Sequence, residues 1–518
     1  MPEAGSGIVL VGMPGSGKST VGRLLAERLG REFVDTDVLF EERHGTPVPA
    51  YLADHGEPAF REAESAVVAE ACTREGAVIG VGGGAILDPL NRWALWHHGT
   101  VAWLDAPTEA LVGRLERDPV DRPTFRPYSA GRLSAVLAER EPFYRAADMR
   151  LDVARPAATV ADELIGWRPF ARGRRLLDAE IERHHPIGPE RARVVFGTDL
   201  ALDELTTRGL AVVDRRLDAT EVSARARLPM GAGERAKRIG RLETILEWLA
   251  EQRAERDEPL LAVGGGTVGD LAGTAAALYN RGLPLVQVPT TWLAMADSAI
   301  GGKVAIDLAG VKNAVGAFWP PVAVVADVAR LRSLPPRLRR DGMAESVKAA
   351  LIGDAALWRL LEARGRPALN NDAAARYAIV ERSARLKLGI CGRDPFEAGE
   401  RRTLNLGHTA GHALEVASGY RLRHGAAVAL GMRVAAALAT GRGADPDLAP
   451  RLDALLHRLG FRVTHAFDTD AVRAAMGTDK KRRAGRQRWI LPMEVGRVIE
   501  ADDVGESELE RALQVIRA

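Results

Sequence analysis

Eight residues near the N-terminus, Gly12-Met13-Pro14-Gly15-Ser16-Gly17-Lys18-Ser19, leave little freedom in how the surrounding chain folds. The apolar run Ile8–Val11 precedes them, and a helical pattern from Ser19 to Leu29 follows, with Val21, Leu24, Leu25 and Leu29 at helical spacing. A G-x-x-x-x-G-K-[ST] segment between a strand and a helix wraps backbone N–H groups around phosphate oxygens at the positive end of the helix. In that arrangement Gly15, Ser16, Gly17 and Thr20 line the phosphates, Lys18 reaches the terminal ones, and Ser19 holds Mg²⁺. Strand-like runs at Ala77–Val81 and Thr100–Leu104, separated by helix-length segments, extend this start into a parallel α/β sheet. A last helix over 159–167, capped by Thr159, closes the unit.

The basic, proline-broken stretch Arg168–Arg175 predicts a boundary near residue 170, giving domains 1–170 and 175–518. The second domain divides again. Strand-like Arg193–Phe196, Ala211–Val213 and Pro259–Val263 predict an α/β half over 175–330, and Ala- and Leu-rich helical patterns predict an all-α half over 331–518.

Composition narrows the functional classes. With 46% hydrophobic and 27% charged residues, the 518-residue chain reads as globular. No uncharged run of about 18 residues is present to span a membrane. The expected location is the cytoplasm, because the nucleotide motif begins where a cleaved signal would lie. A net charge of +2 argues against a nucleic-acid partner, and two cysteines, Cys72 and Cys391, cannot build a disulfide framework or a zinc cluster. The basic residues are more informative: eight lysines stand against 63 arginines. Where Arg serves as the generic cation, Lys marks places needing a compact, rotatable ammonium. The eight are Lys18, Lys237, Lys303, Lys312, Lys348, Lys387, Lys480 and Lys481.

In the first domain, Val34-Asp35-Thr36-Asp37, Phe60-Arg61-Glu62-Ala63-Glu64, Gly82-Gly83-Gly84, Asp121-Arg122-Pro123 and Glu139-Arg140-Glu141 accompany the phosphate loop. Together these resemble shikimate kinase over roughly residues 6–168. The resemblance implies ATP and Mg²⁺, with Asp37, Arg61, Gly83, Gly84 and Arg140 around shikimate and Asp35 near the metal. Arg122 would close with a lid over ATP. A small hydroxylated acid needs Arg to clamp its carboxylate and an aspartate to orient the attacking hydroxyl.

In the second domain, Leu260–Val263 runs into Gly264-Gly265-Gly266, a turn suited to a pyrophosphate, and Asp214 ends an earlier strand. His408 and His412 lie four residues apart on one helical face, and His424 follows. Spacing alone nominates His408 and His412 as metal ligands. Pro289-Thr-Thr-Trp-Leu-Ala-Met-Ala-Asp297, Gly301-Gly302-Lys303, Lys312-Asn313, Gly342-Met-Ala-Glu345-Ser-Val-Lys348 and Asn405-Leu-Gly-His408-Thr-Ala-Gly-His412 resemble 3-dehydroquinate synthase.

That resemblance makes Glu345, His408 and His424 the ligands of Zn²⁺ or Co²⁺, and turns His412 into a substrate contact. It places Asp297, Lys303, Asn313, Lys348, Lys387, Arg401, Asn405 and Lys480 around the substrate, with Arg281 reaching the phosphate from a neighbouring subunit of a homodimer. NAD⁺ would be held by Asp214, Glu234, Lys237, Gly265, Gly266, Asp270, Thr290, Thr291, Lys303 and Lys312. The implied reaction converts a 3-deoxy-heptulosonate 7-phosphate to 3-dehydroquinate and phosphate. A transient oxidation by NAD⁺ acidifies the C–H whose loss expels phosphate. Another sugar-phosphate cyclase, or a metal-dependent alcohol dehydrogenase, remains an alternative for this half.

Overall fold

The computed structural model describes residues 6–117, 125–167, 173–185, 189–206, 208–217, 221–231, 233, 236–309, 311–477, 482–483 and 486–518. Its contacts divide the chain into two compact units, 1–180 with 193–201, and 181–192 with 202–518.

In the first unit, β1 (Gly7–Val11), β2 (Phe33–Asp35), β3 (Val78–Gly80), β4 (Gly99–Asp105) and β5 (Met149–Asp152) form one parallel sheet in the order β2-β3-β1-β4-β5. All five residues of β1 are buried, as a continuous apolar run between two parallel neighbours must be. The strand order reverses at β1, so a crevice opens beyond its carboxyl end, where the phosphate loop begins. Helix Lys18–Leu29 starts behind Gly17, whose φ of 89° suits only glycine without strain. Gly22 brings that helix onto β2: a Cβ there would lie 2.2 Å from the Phe33 ring. The closing helix spans Ala157–Gly166 with Pro156 as its cap, three residues before the expected cap Thr159, because proline's fixed φ already leads the chain into the helix.

Strand β6 (Arg174–Glu182) has no counterpart in the sequence reading, and with its neighbour β7 (Arg191–Thr198) it shifts the boundary expected near 170. Most of both strands groups with the first unit. Fully buried Arg92 donates through Nε to the Leu176 carbonyl at 3.0 Å, and ion pairs Arg174–Asp148 (3.3 Å) and Arg145–Glu180 (3.1 Å) add to it.

In the second unit, β8 (Gly209–Asp214), β9 (Ala224–Met230), β10 (Leu260–Gly264) and β11 (Leu285–Pro289) are followed by a hairpin of β12 (Lys303–Leu308) and β13 (Val311–Phe318), then by β14 (Ala323–Asp327). Five of these run parallel in the order β14-β11-β10-β8-β9. The hairpin is antiparallel. Helices Ile239–Glu251 and Gly266–Leu278 cover the sheet and share a core of Leu210, Val212, Ile245, Leu260 and Leu271. Beyond Pro336 the chain is mainly helical, with long helices Pro336–Gly353, Ala373–Arg393 and His424–Thr440. This half is not all-α, however. Trp489–Glu494 pairs antiparallel with Arg497–Ala501, since β-prone Trp489, Ile490 and Leu491 are followed by a turn at Gly496 with φ 89°. Among the described residues, no helix is long and apolar enough to cross a membrane.

Candidate active sites

The phosphate loop lines a cavity of about 530 Å³, together with Asp35, Asp37, Gly80–Gly83, Arg114, Arg117 and Arg155. Lys18 donates to its own loop, at 3.0 Å to the Gly12 carbonyl and 3.1 Å to that of Met13. Ser19 Oγ donates to Asp35 Oδ2 at 2.7 Å, the hydroxyl–carboxylate pair that a magnesium ion in this position would share. Gly82–Gly84 collects the acceptor-side residues. A Cβ on Gly82 would sit 2.8 Å from Asp37 Oδ1, one on Gly83 3.0 Å from Arg140 Nη1, and one on Gly84 2.6 Å from Arg61 Nη1. Asp37, Arg61 and Arg140 therefore converge on one glycine turn, which must lack side chains to let them in.

Arg140 is buried, and among the described residues no hydrogen-bond acceptor meets its Nε and Nη1. A buried guanidinium with donors to spare is what a substrate carboxylate requires. Glu64, which the sequence reading quoted without a role, holds Arg61 in place at 2.7 Å. Burial pushes the Glu64 carboxyl above its usual range despite the Arg61 charge. Arg122 lies outside the described residues.

In the second unit, Asp214 at the end of β8 meets the glycine turn at the end of β10; a Cβ on Gly264 would approach its Cβ to 3.3 Å. Asp214 accepts from Arg216 at 2.6 and 3.0 Å. The positive end of helix Gly266–Leu278 points from this crevice, flanked by Thr290 and Thr291; a Cβ on Gly265 would lie 3.0 Å from Thr291 Cγ2. Lys237 pairs with Asp270 at 2.7 Å and donates to Asn313 Oδ1 at 2.5 Å. Glu234 lies outside the described residues.

The helical half brings three imidazoles together because glycines let its helices touch. A Cβ on Gly431 would stand 1.9 Å from the Gly407 carbonyl oxygen, and one on Gly425 2.3 Å from that of Asp341. Helix His408–Ala417 thereby lies against helix His424–Thr440, and His424 against the helix bearing Glu345. Glu345 Oε1 is 3.1 Å from His424 Nε2 and 3.6 Å from His408 Nε2. Among the described residues, two groups of three could hold an ion: Glu345 with His408 and His424, and His412 with Glu415 and His424. In the first, His408 Nδ1 lies 3.1 Å from the Leu406 carbonyl, which fixes its proton there and leaves Nε2 to face Glu345. The pair His408 and His412, nominated by spacing alone, thus divides between the two groups.

Around this center, carboxylates and ammonium groups alternate. Lys387 Nζ is 2.7 Å from Asp297 Oδ1, Lys348 is 3.9 Å from the same oxygen, and Lys348 also pairs with Glu345. Burial pushes the Asp297 carboxyl up, but Lys348 and Lys387 outweigh it and hold the group below the usual carboxylate range. Burial acts against the Lys348 charge too, yet Asp297 and Glu345 raise it above the ordinary lysine value. Lys303 pairs with Glu397, which also accepts from Asn405 at 2.9 Å; burial lowers Lys303 in spite of that partner. Arg401, 1% exposed, donates to the Gly301 carbonyl at 2.6 Å.

Lys303, Lys312, Asn313, Asn405 and His412 line a cavity of about 640 Å³. Glu397 lines it as well, a residue that sequence reasoning missed for want of any spacing signature. Arg281 occupies an exposed turn, Tyr279–Arg281, and Lys480 lies outside the described residues.

Family comparisons agree with this division. Residues 14–167 match the family model for shikimate kinase, 227–341 that for the 3-dehydroquinate synthase N-terminal region, and 342–482 that for its C-terminal region. A 3-dehydroquinate synthase of Xanthomonas campestris pv. campestris is 40% identical over 348 residues, 65% of this chain and 88% of the relative. The solved 2-epi-5-epi-valiolone synthase of Streptomyces hygroscopicus subsp. jinggangensis, with NAD⁺ and Zn²⁺ bound, aligns at 29% identity and a TM-score of 0.60 over 64% of this chain and 99% of its own. Shikimate kinase from Acinetobacter baumannii, in complex with shikimate, is 37% identical over 32% of this chain and 92% of its own, with a TM-score of 0.30. The chain belongs to the 3-dehydroquinate synthase family and carries a shikimate kinase domain ahead of it, which makes it a bifunctional enzyme of the shikimate pathway.

Proposed function

We propose that the first unit transfers the terminal phosphoryl group of ATP to the 3-hydroxyl of shikimate, and that the second closes 3-deoxy-D-arabino-heptulosonate 7-phosphate into 3-dehydroquinate with release of phosphate. In the first, Lys18 turns from its loop carbonyls to the ATP phosphates, and Ser19 with Asp35 holds Mg²⁺. Asp37 orients the attacking hydroxyl, while Arg61 and Arg140 clamp the carboxylate. Arg122 is assigned to the lid.

In the second, Glu345, His408 and His424 hold a Zn²⁺ or Co²⁺ ion. One carboxylate and two imidazoles, with their ligand atoms within 4.8 Å of one another, suit such an ion and leave room for substrate. His424 supports the fit. Burial opposes a charge on its ring, but Glu345 and Glu415 face its two nitrogens and raise its pKa, so two carboxylates meet where the ion would sit. When bound, the ion supplies Lewis-acid polarisation and NAD⁺ a temporary hydride acceptor.

The chain's own groups do the rest. Lys348 and Lys387, held charged beside Asp297, orient and donate hydrogen bonds to substrate oxygens. Lys303, Asn313, Arg401, Asn405, His412 and Lys480 are assigned to surround the substrate, with Arg281 contributed to its phosphate across a homodimer. Asp214, Glu234, Lys237, Gly265, Gly266, Asp270, Thr290, Thr291 and Lys312 are assigned to NAD⁺. Exposed apolar Ile239, Leu308, Val311 and Val315, on or next to the β12–β13 hairpin, support a dimer surface, and the expected location is the cytoplasm.

The convergence of Glu345, His408 and His424 beside paired lysines carries this reading. Likeness to the valiolone synthase favors a second one, in which another sugar phosphate is cyclised. Product analysis after supplying the heptulosonate phosphate, NAD⁺ and Zn²⁺ decides between them. Dehydroquinate and stoichiometric phosphate support the first; accumulation of NADH without phosphate release overturns both.

A further inference from the structure

His424 presents its two ring nitrogens to two different carboxylates. Nε2 faces Glu345 Oε1 at 3.1 Å, and Nδ1 lies 3.6 Å from Glu415 Oε1. Glu415 stands on helix His408–Ala417 with a side chain only 4% exposed, and no hydrogen-bond donor meets its Oε2 among the described residues. A carboxylate so deeply buried is costly unless positive charge or hydrogen bonds offset it. Glu415 has Lys312 Nζ at 3.5 Å and the His424 ring. The two imidazoles of the ion site therefore differ. His408 has its Nδ1 fixed by the Leu406 carbonyl, whereas the group placed to fix Nδ1 of His424 is the Glu415 carboxylate.

We infer that Glu415 is a positioning residue for the ion site: its carboxylate, 3.6 Å from His424 Nδ1, draws the proton to that nitrogen and so sets the tautomer and ring orientation that offer Nε2 as a ligand. A carboxylate behind a ligating imidazole raises the basicity of the ring and narrows its orientation, and loss of such a partner weakens metal binding about 10- to 100-fold. Lys312 on β13 lies 3.5 Å from Glu415 Oε1, so the hairpin that lines the substrate cavity also touches the carboxylate behind the ion site. The inference rests on the ion site proposed above, and the experiment separates the two.

The full chain is stripped of metal, and Zn²⁺ affinity is measured by competition with a chromophoric chelator. Co²⁺ is then substituted for its visible absorption, and NAD⁺ binding is followed as a check on the fold. Glu415→Gln is expected to weaken Zn²⁺ binding about 10- to 100-fold and to shift the Co²⁺ bands, with NAD⁺ affinity unchanged. Wild-type affinity and spectrum in Glu415→Gln would overturn the positioning role.

Should Glu415→Gln lose NAD⁺ binding too, Glu415→Asp takes its place. This variant keeps the charge on a side chain one methylene shorter, and is expected to bind the ion more weakly than wild type but more tightly than Glu415→Ala. Equal binding by Glu415→Asp and wild type would count against the role. His408→Ala tests the underlying site: if it retains the ion at full affinity, the site assignment itself fails. If Glu345→Gln keeps the ion while Glu415→Gln abolishes it, Glu415 is a ligand in the second group and not a positioning residue.

Discussion

The kinase cavity and the synthase cleft are both proposed to bind phosphate and carboxylate groups, yet they are built from different materials. In the first, glycines at positions 12, 15 and 17, all with positive φ, shape a backbone cradle, and its one lysine donates to carbonyls of the same loop. In the second, each lysine among the described residues lies within 4 Å of a carboxylate: Lys237 of Asp270, Lys303 of Glu397, Lys312 of Glu415, Lys348 of Glu345, and Lys387 of Asp297. A backbone cradle at a helix end needs no neutralising partner, since its N–H dipoles carry no net charge. Buried ammonium groups do need one. The cost of preparing an anion site thus falls on local backbone geometry in one unit and on long-range side-chain pairing in the other.

The largest expected consequence concerns Lys348, whose side chain is 4% exposed between Glu345 and Asp297. Lys348→Ala leaves the buried Glu345 carboxylate without its lysine and Asp297 with Lys387 alone, and should lower the unfolding free energy of the second unit by about 3–5 kcal/mol. Denaturant titration of the metal-free chain measures this; an unshifted transition would break the contrast with the kinase site. Next, Lys18→Ala should reduce shikimate phosphorylation about 10²- to 10³-fold. Its unfolding transition should shift by less than that of Lys348→Ala, about 1 kcal/mol or below, because Lys18 is only half-buried and donates to carbonyls of its own loop. Dehydroquinate formation by the same variant should be unchanged, and a parallel fall in that activity would show that the units are coupled.

A smaller effect is expected at Asp394, which accepts from the backbone N–H groups of Ala398 (2.8 Å), Gly399 (2.7 Å) and Arg401 (3.0 Å) and so shapes the loop carrying Glu397. Burial works to raise this carboxyl, but the three N–H groups outweigh it and hold it below the usual range. A carboxyl depressed in the folded state contributes stability above its unfolded value of about 3.9, and that contribution is lost as pH falls through the folded value. Asp394→Asn should cost about 1 kcal/mol at pH 7 and flatten the acid limb of a stability–pH profile; a limb as steep as wild type would exclude the role.

The smallest effect is on thiol reactivity. Burial pushes Cys72 up to about 12 and raises Cys391 as well. At pH 8 alkylation of the native chain should be slow, rising to two thiols per chain in denaturant. Fast modification of Cys391 in the native state would mean that the cleft beside Lys387 opens more than its pairing implies.

Sequence legibility follows the same division. The phosphate loop could be read outright because its chemistry is local: eight consecutive residues, a strand before and a helix after. Asp37, Arg61 and Arg140 needed the resemblance, since in a chain with 63 arginines none of them stands out alone. Strand β6 was hidden because its first residues, Arg174 and Arg175, close the stretch from Arg168 that read as a basic linker. Glu397 and Asp394 carry no spacing signal. Glu415 did carry one, lying seven residues after His408 and three after His412 on the same helical face, but a lone carboxylate there reads equally well as a solvated residue.

What the sequence determined by itself is the set of local commitments: where phosphates meet a helix end, which glycines must be bare, and which rare lysines and histidines are available for chemistry. Tertiary structure alone decided the partnerships. Helical periodicity places His408 and His412 on one face, but the carboxylate beside His408 comes from residue 345 and the third imaginable ligand from residue 424, on separate helices. Those distances depend on how closely Gly407, Gly411, Gly425 and Gly431 let backbones approach, a property of packed surfaces that no spacing along one chain segment encodes.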